Sequence, residues 1–262
     1  MRKVFVIGIG AGNPDYLTVQ AIKALGQLDA VFLIDKGDEK GALAALRRDI
    51  CARYVTNASC RYVTAADPER DRAPDCYETA VADWHAKRAA IYERMIREEL
   101  ADGQHGGFLV WGDPCLYDST LRILESVAAM NTVPFEVEVI PGIASIQALA
   151  AQHRIPLNRI GEPVLITTGR RLGETLPETD AVVMLDGQLA FKQAADQDLD
   201  VFWGAYLGTP DEVLIAGPLA QRAAEIEATR DAARRRHGWI MDTYLLRRRA
   251  DADEHDADTA KA

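Results

Sequence analysis

Two glycine-marked turns, about a hundred residues apart, constrain this chain more than any other feature of its sequence. The first lies in VIGIGAGNPDYLT, residues 6–18, and the second in FLVWGDPCLYDST, residues 108–120. Each begins as an apolar run typical of a buried strand, breaks at glycine with Asp and Pro nearby, and continues in a helical pattern. In an open α/β sheet such turns lie at the carboxyl ends of strands, where ligands bind. Glycine there lets backbone groups approach a ligand that a Cβ atom would hold away.

The size and charge of the chain exclude some classes of partner. The chain has 262 residues, enough for one large domain or two small ones. Its formal net charge of −10 argues against broad nucleic-acid binding, which depends on Lys and Arg neutralising phosphates. Every apolar run is far shorter than the roughly 20 residues of a membrane helix. We therefore expect neither a nucleic acid nor a membrane as a partner.

The N-terminus and the cysteines favour a cytoplasmic protein. The start MRKVFVIGIG is interpreted as a first strand rather than a signal peptide, because its apolar stretch is short and a turn follows at once. The cysteines, Cys51, Cys60, Cys76 and Cys115, show no paired spacing. We interpret them as reduced thiols, and we expect no metal site, because structural zinc requires closely paired thiolates.

Strands and helices alternate through the first part of the chain. Strands are predicted over residues 3–9, 30–35, 60–64, 107–111 and 135–140, and helices over 16–28, 41–55, 77–102, 118–130 and 143–152. This alternation predicts an α/β domain with a largely parallel sheet.

A domain boundary is predicted in the segment 153–163, which carries two prolines and few periodic positions. Beyond it, strands are predicted over residues 164–168, 181–185, 201–207, 212–216 and 239–245, with a helix over 220–230. The sequence thus predicts an N-terminal domain over residues 1–153, a C-terminal domain over 154–249, and a disordered acidic tail over 250–262.

The first turn differs from a dinucleotide-binding loop. Gly8, Gly10 and Gly12 form a GxGxG pattern, but the fingerprint also needs glycine at the sixth position, which is Asn13 here. Pro14 follows, and proline has no N–H group to offer a phosphate. These departures disfavour a nicotinamide-dependent enzyme. They leave a ligand loop of another kind, or a purely structural turn.

The second turn contains polar side chains with two interpretations each. The Asp113 carboxylate, after Gly112, can accept N–H groups of its own turn or face a cationic ligand. Tyr117 is either a buried support or a polar group facing a cleft. Ser119 and Thr120 are expected to cap the following helix.

Two further strand ends are candidates for ligand contact. The segment PGIAS, residues 141–145, opens a predicted helix, whose N-terminus suits an anionic group, although an ordinary strand-to-helix join has the same pattern. Asp35 ends another strand beside Lys36 and faces either a ligand or solvent. The adjacent arginines Arg47 and Arg48 are interpreted as solvated helix surface.

The order of five segments resembles the tetrapyrrole methyltransferase family. These segments are GIGAGNPDYLT, WGDPCLYDST, VIPGIASIQALAA, VVML and YLGTPDEVLIAGPL, and the resemblance runs from about residue 4 to residue 245. The opening, the VFLIDKG strand end and the WGDPCLYDSTLRI segment look most like the members that act on precorrins in aerobic cobalamin synthesis. The resemblance implies two α/β domains, with a mostly parallel N-terminal sheet and a mixed C-terminal sheet. It also implies S-adenosylmethionine in the cleft between the domains, a tetrapyrrole (precorrin) substrate and a homodimer.

The resemblance further implies which residues contact the cofactor. In the first domain these are Gly112, Asp113, Leu116, Ser119, Thr120, Ile143 and Ala144. In the second domain they are Met184, Leu185, Tyr206, Leu207, Ala216, Pro218 and Leu219. One departure is Gly208-Thr209-Pro210, where many relatives have Asn-Gly-Thr, so the family pattern matches least well near the adenine.

Substrate binding and catalysis would involve other residues. Gly10, Gly12 and Pro14 would shape the tetrapyrrole side, and Lys36, Arg170 and Arg171 would face the carboxylates of the substrate. Methyl transfer needs mainly alignment. Removal of an acyl group would need a general base or a proton donor, for which the candidates by position are Asp15, Tyr16, Asp35 and Tyr117.

Three other functions remain open on the sequence alone. One is the activity of another precorrin methyltransferase of the same pathway, which would methylate a different carbon of the macrocycle than the members named above. Another is a nicotinamide-dependent oxidoreductase acting on a precorrin, which NADPH binding would favour. The last is a non-catalytic tetrapyrrole carrier, which would bind pigment but not S-adenosylmethionine.

Overall fold

A computed structural model describes residues 1–35, 41–69 and 77–249 of the chain. The chain forms two compact units that divide between Ala144 and Ser145. The predicted boundary between residues 153 and 154 lies nine residues later. The intervening helix goes with the second unit because its Ser145 hydroxyl accepts a hydrogen bond from Thr243, at 2.9 Å, and its His153 Nε2 lies 3.0 Å from the Trp203 carbonyl oxygen. The predicted acidic tail and Cys76 lie outside the described residues.

The first unit contains a five-stranded sheet in which all described pairings are parallel, as predicted. Its strands are β1 (Arg2–Gly8), β2 (Ala30–Asp35), β3 (Arg61–Ala66), β4 (His105–Val110) and β5 (Phe135–Ile140). Its helices are α1 (Val19–Leu25), α2 (Gly41–Tyr54), α3 (Tyr77–Glu99) and α4 (Thr120–Met130). The predicted helix over 16–28 is shorter than expected, because a separate 3₁₀ turn over Pro14–Tyr16 precedes it.

The strand order of this sheet places the two glycine turns next to each other. The order is β3-β2-β4-β1-β5, so β1 and β4 are neighbours. The chain leaving β1 runs to β2, on the far side of β4, whereas the chain leaving β4 runs to β5, on the far side of β1. Loops that leave adjacent strands in opposite directions form the crevice where open α/β sheets bind ligands.

Apolar layers on both faces of the sheet hold it in place. Val4, Val6 and Phe108 pack with α3 and α4 on one face. Phe5 and Ile7, which alternate with Val4 and Val6 along β1, pack with α1 and α2 on the other face. Each fully buried side chain of this size contributes roughly 1.5–3 kcal/mol. This packing makes the sheet a firm base for the loops at its carboxyl edge.

The second unit contains the mixed sheet that the resemblance implied. Its strands are β6 (Val164–Thr168), β7 (Asp180–Met184), β8 (Leu199–Ala205), β9 (Val213–Pro218) and β10 (Asp242–Arg248). The order is β6-β7-β10-β8-β9, with β6 and β7 parallel and the remaining pairs antiparallel. Its helices are α5 (Ser145–His153), α6 (Gly169–Glu174) and α7 (Leu219–His237).

The end of the second unit differs from the prediction. Helix α7 continues seven residues beyond the predicted end at Arg230, and the last strand begins three residues later than predicted. The extra turns carry Arg234, Arg235 and Arg236, which interact favourably with the helix C-terminus. Gly238 then ends the helix in a left-handed conformation, with φ of 74°. Throughout the described ranges, every helix is too short or too polar to cross a membrane.

Candidate active site

Three loops meet at the carboxyl edge of the first sheet. Gly10 and Gly112, in the loops after β1 and β4, pair through two backbone hydrogen bonds. The Gly112 N–H lies 2.9 Å from the Gly10 oxygen, and the Gly10 N–H lies 3.3 Å from the Gly112 oxygen. The loop after β5 joins them through Gly142. The structure therefore brings together the three segments that the sequence marked separately.

Glycine is required here for contact between the loops, which differs from the expected role in ligand approach. A Cβ atom on Gly142 would lie 2.1 Å from the Gly112 oxygen, and one on Gly8 would lie 2.6 Å from the Gly142 nitrogen. Both clashes are with backbone atoms, which cannot move away through a change of side-chain rotamer. Gly112 differs, because its φ is +69° and the nearest heavy atom to an added Cβ is the Ala144 Cα at 3.6 Å.

The Asp113 carboxylate connects two of these loops. Its Oδ1 accepts the Cys115 N–H at 2.7 Å, and its Oδ2 accepts the Gly142 N–H at 2.8 Å. Of the two interpretations, the structure thus shows the one in which Asp113 accepts N–H groups of its own turn, together with one from the loop after β5. Such charge-assisted bonds fix the direction in which the backbone of the Gly112–Cys115 turn faces.

The loop after β1 continues into the 3₁₀ turn over residues 14–16. Asn13 caps this turn through its side-chain oxygen, which accepts the Asp15 N–H at 2.9 Å. Pro14 fits its first position, where no N–H is needed. Asp15 is exposed. Tyr16 packs so close to Gly10 that a Cβ there would lie 2.7 Å from the Tyr16 Cβ.

The loop after β4 contains a tyrosine in an unusual backbone conformation. Tyr117 has φ of +51° and a 45% exposed side chain, and partial burial raises its pKa. The expected capping by Ser119 is wrong, because Asp118 Oδ1 accepts the Thr120 N–H at 2.7 Å and Ser119 makes no side-chain cap. Thr120 is buried and hydrogen-bonds the Tyr92 hydroxyl. Leu116 and Ile143 are partly buried, and Ala144 is buried.

A cluster of charged residues lies at the β2 and β3 side of this edge. Asp35 is exposed, and its carbonyl oxygen accepts the Asp67 N–H at 2.8 Å. The buried Arg88 binds the Asp67 carboxylate through two bonds, at 2.7 and 2.9 Å. Lys36, predicted to face the substrate, lies outside the described residues.

Arg47 is a charged residue of this region for which the prediction of solvated helix surface is wrong. It is partly buried, and burial lowers its pKa while the Asp118 carboxylate opposes that change. A signal was available in the sequence. Ile50 and Cys51 follow Arg47 by three and four residues, and both are buried, so all three share one helix face.

The predicted residues of the second unit differ in exposure. Leu185 is 66% exposed with φ of +54°, whereas Tyr206, Leu207 and Leu219 are buried. The Tyr206 hydroxyl donates to the Trp239 oxygen at 2.6 Å. Met184, Ala216 and Pro218 are partly buried at the ends of β7 and β9.

The two predicted arginines lie on a short helix directly after β6. Arg170 and Arg171 belong to α6, which is too short for a periodic pattern to reveal, and both are exposed. Arg171 forms an ion pair with Glu174 at 2.8 Å. An exposed pair of this kind is worth at most about 1 kcal/mol, so it leaves Arg171 available to a stronger anionic partner.

The described residues fit S-adenosylmethionine, a ligand with both polar and apolar parts. On the Cβ side of Gly112 the nearest heavy atom is the Ala144 Cα, at 3.6 Å, and glycine leaves the backbone of the turn uncovered by a side chain of its own. Trp111, just before it, has a buried indole Nε1 with no hydrogen-bond partner in the described part of the chain. In the second unit, Leu185 exposes an apolar side chain beside the carboxyl end of β7.

Comparison with known proteins gives a consistent family. The model of the tetrapyrrole (corrin/porphyrin) methylases matches residues 3–223. A precorrin-6A synthase (deacetylating) from Sinorhizobium sp. is 55% identical over 256 residues, which covers 97% of this chain and 98% of that protein.

Solved structures agree with this family. A cobalamin synthesis related protein (CobF) from Corynebacterium diphtheriae superposes with a TM-score of 0.81 and 42% identity, over 94% of this chain and 98% of that chain. A uroporphyrin-III C-methyl transferase from Thermus thermophilus, complexed with S-adenosyl homocysteine, has a TM-score of 0.58 at 16% identity, over 94% of this chain and 97% of that chain. The second likeness shows the fold alone.

Proposed function

Because the chain belongs to the family of tetrapyrrole (corrin/porphyrin) methylases, we propose that it catalyses the deacetylating precorrin-6A synthase reaction. The chain is an S-adenosylmethionine-dependent methyltransferase of cobalamin biosynthesis. In the proposed reaction, precorrin-5 is methylated at carbon 1, and the acetyl group at carbon 20 leaves as acetate. The observation that carries this proposal is 55% identity over nearly the full length of both chains.

The methyl-transfer step depends mainly on alignment by the loops. S-adenosylmethionine, when bound, supplies an already activated methyl group. The proposed contacts in the first unit are Gly112, Asp113, Leu116, Ser119, Thr120, Ile143 and Ala144. Those in the second unit are Met184, Leu185, Tyr206, Leu207, Ala216, Pro218 and Leu219. Alignment of this kind can supply roughly 7–11 kcal/mol of a barrier, and the hydrogen bonds of Asp113 support it by fixing the Gly112 turn.

Acetate release requires more of the side chains. A water molecule must add to the acetyl carbonyl, and a nearby group must hold or give a proton. Tyr117 suits the role of proton donor, because its side chain is 45% exposed in the loop after β4 and a phenol, with an ordinary pKa of about 10, is protonated at neutral pH. Asp35, Asp15 and Tyr16 remain candidates for orienting the water.

The carboxylates of a precorrin need cationic partners. We propose Arg170, Arg171 and Lys36 for this role, with Gly10, Gly12 and Pro14 shaping the tetrapyrrole side. The exposure of Arg170 and Arg171 supports this proposal, and guanidinium groups bind carboxylates in a bidentate manner.

We also propose a cytoplasmic homodimer. Cys51, Cys60 and Cys115 are free thiols, consistent with a reducing compartment. The edge strand β6 exposes Leu165 and Ile166, which a second copy could cover. Light scattering of the purified protein tests the dimer, which Leu165→Glu should weaken.

The experiment that tests the function is mass spectrometry of the product made from precorrin-5 and methyl-labelled S-adenosylmethionine. The proposal predicts a product that has gained the labelled methyl group and lost the acetyl group. A methylated product that keeps the acetyl group would identify a different precorrin methyltransferase. Heat-denatured protein serves as the control for spontaneous loss of acetate.

A further inference from the structure

The turn that follows β7, over residues 185–190, has an unfavourable backbone. Leu185 and Leu189 both have left-handed conformations, with φ of +54° and +58°. Leucine rarely adopts this conformation, because its Cβ approaches the following carbonyl oxygen. Side-chain contacts must therefore hold the turn.

The Asp186 carboxylate supplies those contacts. Asp186 is only 5% exposed, and its Oδ1 accepts the Gln188 N–H at 2.9 Å. Its Oδ2 accepts both the Ala190 N–H and the Tyr244 hydroxyl, each at 2.8 Å. Gly169 makes room for it, because a Cβ there would lie 2.5 Å from the Asp186 Cγ. Two of the three bonds go to the turn itself, so they fix its path.

A second layer of buried groups anchors Asp186 to the sheet. Arg230, 5% exposed, donates to the Asp186 carbonyl oxygen, and its Nε donates to Asp242 Oδ2 at 2.9 Å. The same Asp242 oxygen accepts the Trp203 indole N–H at 2.9 Å. Tyr244 and Asp242 are on β10, and Trp203 is on β8. A buried network whose members all have partners is rigid, so it fixes the turn to β8, β10 and α7.

This network fixes the position of an exposed apolar side chain. Leu185 directly precedes Asp186 and is 66% exposed. Strained residues held by their surroundings tend to occur at ligand sites. We propose that Asp186 is a positioning residue, which holds the 185–190 turn so that Leu185 contacts the adenosyl part of S-adenosylmethionine. This inference rests on the proposed function; the family resemblance implied a role for Leu185 and none for Asp186.

A double-mutant cycle on the full-length protein tests this inference. The variants are Leu185→Ala, Asp186→Asn and the two combined, and calorimetry measures the Kd of S-adenosylhomocysteine. Leu185→Ala should raise Kd about tenfold, because burial of a leucine side chain by the ligand contributes a factor of about ten to the binding constant. Asp186→Asn should have a similar effect. If Asp186 acts through Leu185, it should have no further effect when Leu185 is alanine. Independent, multiplying effects would overturn the inference, as would an unchanged Kd in Asp186→Asn.

Asp180 provides a matched control at the opposite end of β7. It is also a buried carboxylate, and it accepts bonds from Arg159, Arg247 and the Arg248 N–H. Asp180→Asn should lower the melting temperature without changing Kd. An equal rise of Kd in this control would mean that Asp186 acts through general stability, which would overturn the inference.

Tyr244→Phe keeps the test decisive if Asp186→Asn does not fold. It removes one hydrogen bond to Asp186 and retains the ring, which packs edge-on against Phe191 at 5.4 Å. It should raise Kd about threefold, and an unchanged Kd in a folded variant would overturn the inference. Failure of the wild-type chain to bind S-adenosylhomocysteine would instead overturn the proposed function, and the inference with it.

Discussion

The Asp113 carboxylate accepts the backbone N–H of Gly142 at 2.8 Å, across 29 residues of sequence. This bond ties the loop after β4 to the loop after β5. The paired backbones of Gly10 and Gly112 tie the loop after β1 to the loop after β4. The three loops therefore form one connected edge, and a change in one of them should affect the others.

Substitution of Gly142 tests this connection. In Gly142→Ala the new Cβ would lie 2.1 Å from the Gly112 oxygen, so the loops must separate. We expect the free energy of unfolding in urea to fall by at least about 2 kcal/mol, and the Kd of S-adenosylhomocysteine to rise. Gly173→Ala is the control, because its Cβ would meet only the flexible Gln193 amide, at 3.4 Å. Equal stability of the two variants would show that the loops are not packed in this way.

Tyr117 should affect acetate release more than methyl transfer. Tyr117→Phe removes the proton donor and keeps the ring, so acetate release should slow about 10²-fold, while transfer of the labelled methyl group continues. Rapid-quench sampling with mass spectrometry separates the two steps. Tyr62→Phe, at another exposed tyrosine, on β3, should leave both rates unchanged. A Tyr117→Phe variant that releases acetate at the wild-type rate would exclude this role.

The arginines of α6 should matter for the substrate and not for the cofactor. The double variant Arg170→Glu/Arg171→Glu should raise the KM for precorrin-5 at least about tenfold, because charge-assisted hydrogen bonds to carboxylates are replaced by repulsion. The Kd of S-adenosylhomocysteine should not change. Arg235→Glu/Arg236→Glu, an exposed pair on α7, is the matched control for net charge. If both pairs raise KM equally, the effect is one of overall charge.

Buried phenols predict a loss of stability in alkali. Burial raises the pKa of Tyr92, so its phenol stays protonated in the folded chain at a pH where the unfolded chain has lost that proton. The unfolded state then binds fewer protons, and stability falls as pH rises above the unfolded value of about 10, by up to about 1.4 kcal/mol per pH unit. Urea unfolding between pH 8 and about 11.5 should show a shallower fall for Tyr92→Phe than for wild type. Identical slopes would contradict the prediction.

Much of the fold follows from local pattern. β2, β5 and β6 begin and end where predicted, because strand and helix periodicities are local properties of the sequence. The C-terminal end of α7 and the start of β10 differ from the prediction, since the polar last turns of that helix carry no apolar period.

The roles of individual polar residues could not be predicted in the same way. Asp186 and Arg230 are separated by 44 residues, and only the folded sheet brings them together. The sequence allows two roles for Asp113, and only its contact with Gly142 in the folded chain decides between them. Partners distant in sequence decide whether a carboxylate is structural or binds a ligand, and a single sequence does not contain that information.

The most direct test of the account is the ratio of acetate released to methyl groups transferred during turnover of precorrin-5. Labelled S-adenosylmethionine gives the number of methyl groups transferred, and an enzymatic assay gives the amount of acetate released. We predict one acetate for each methyl group, with neither formed when S-adenosylmethionine is omitted. Methyl transfer without acetate, or acetate release that does not depend on S-adenosylmethionine, would contradict it.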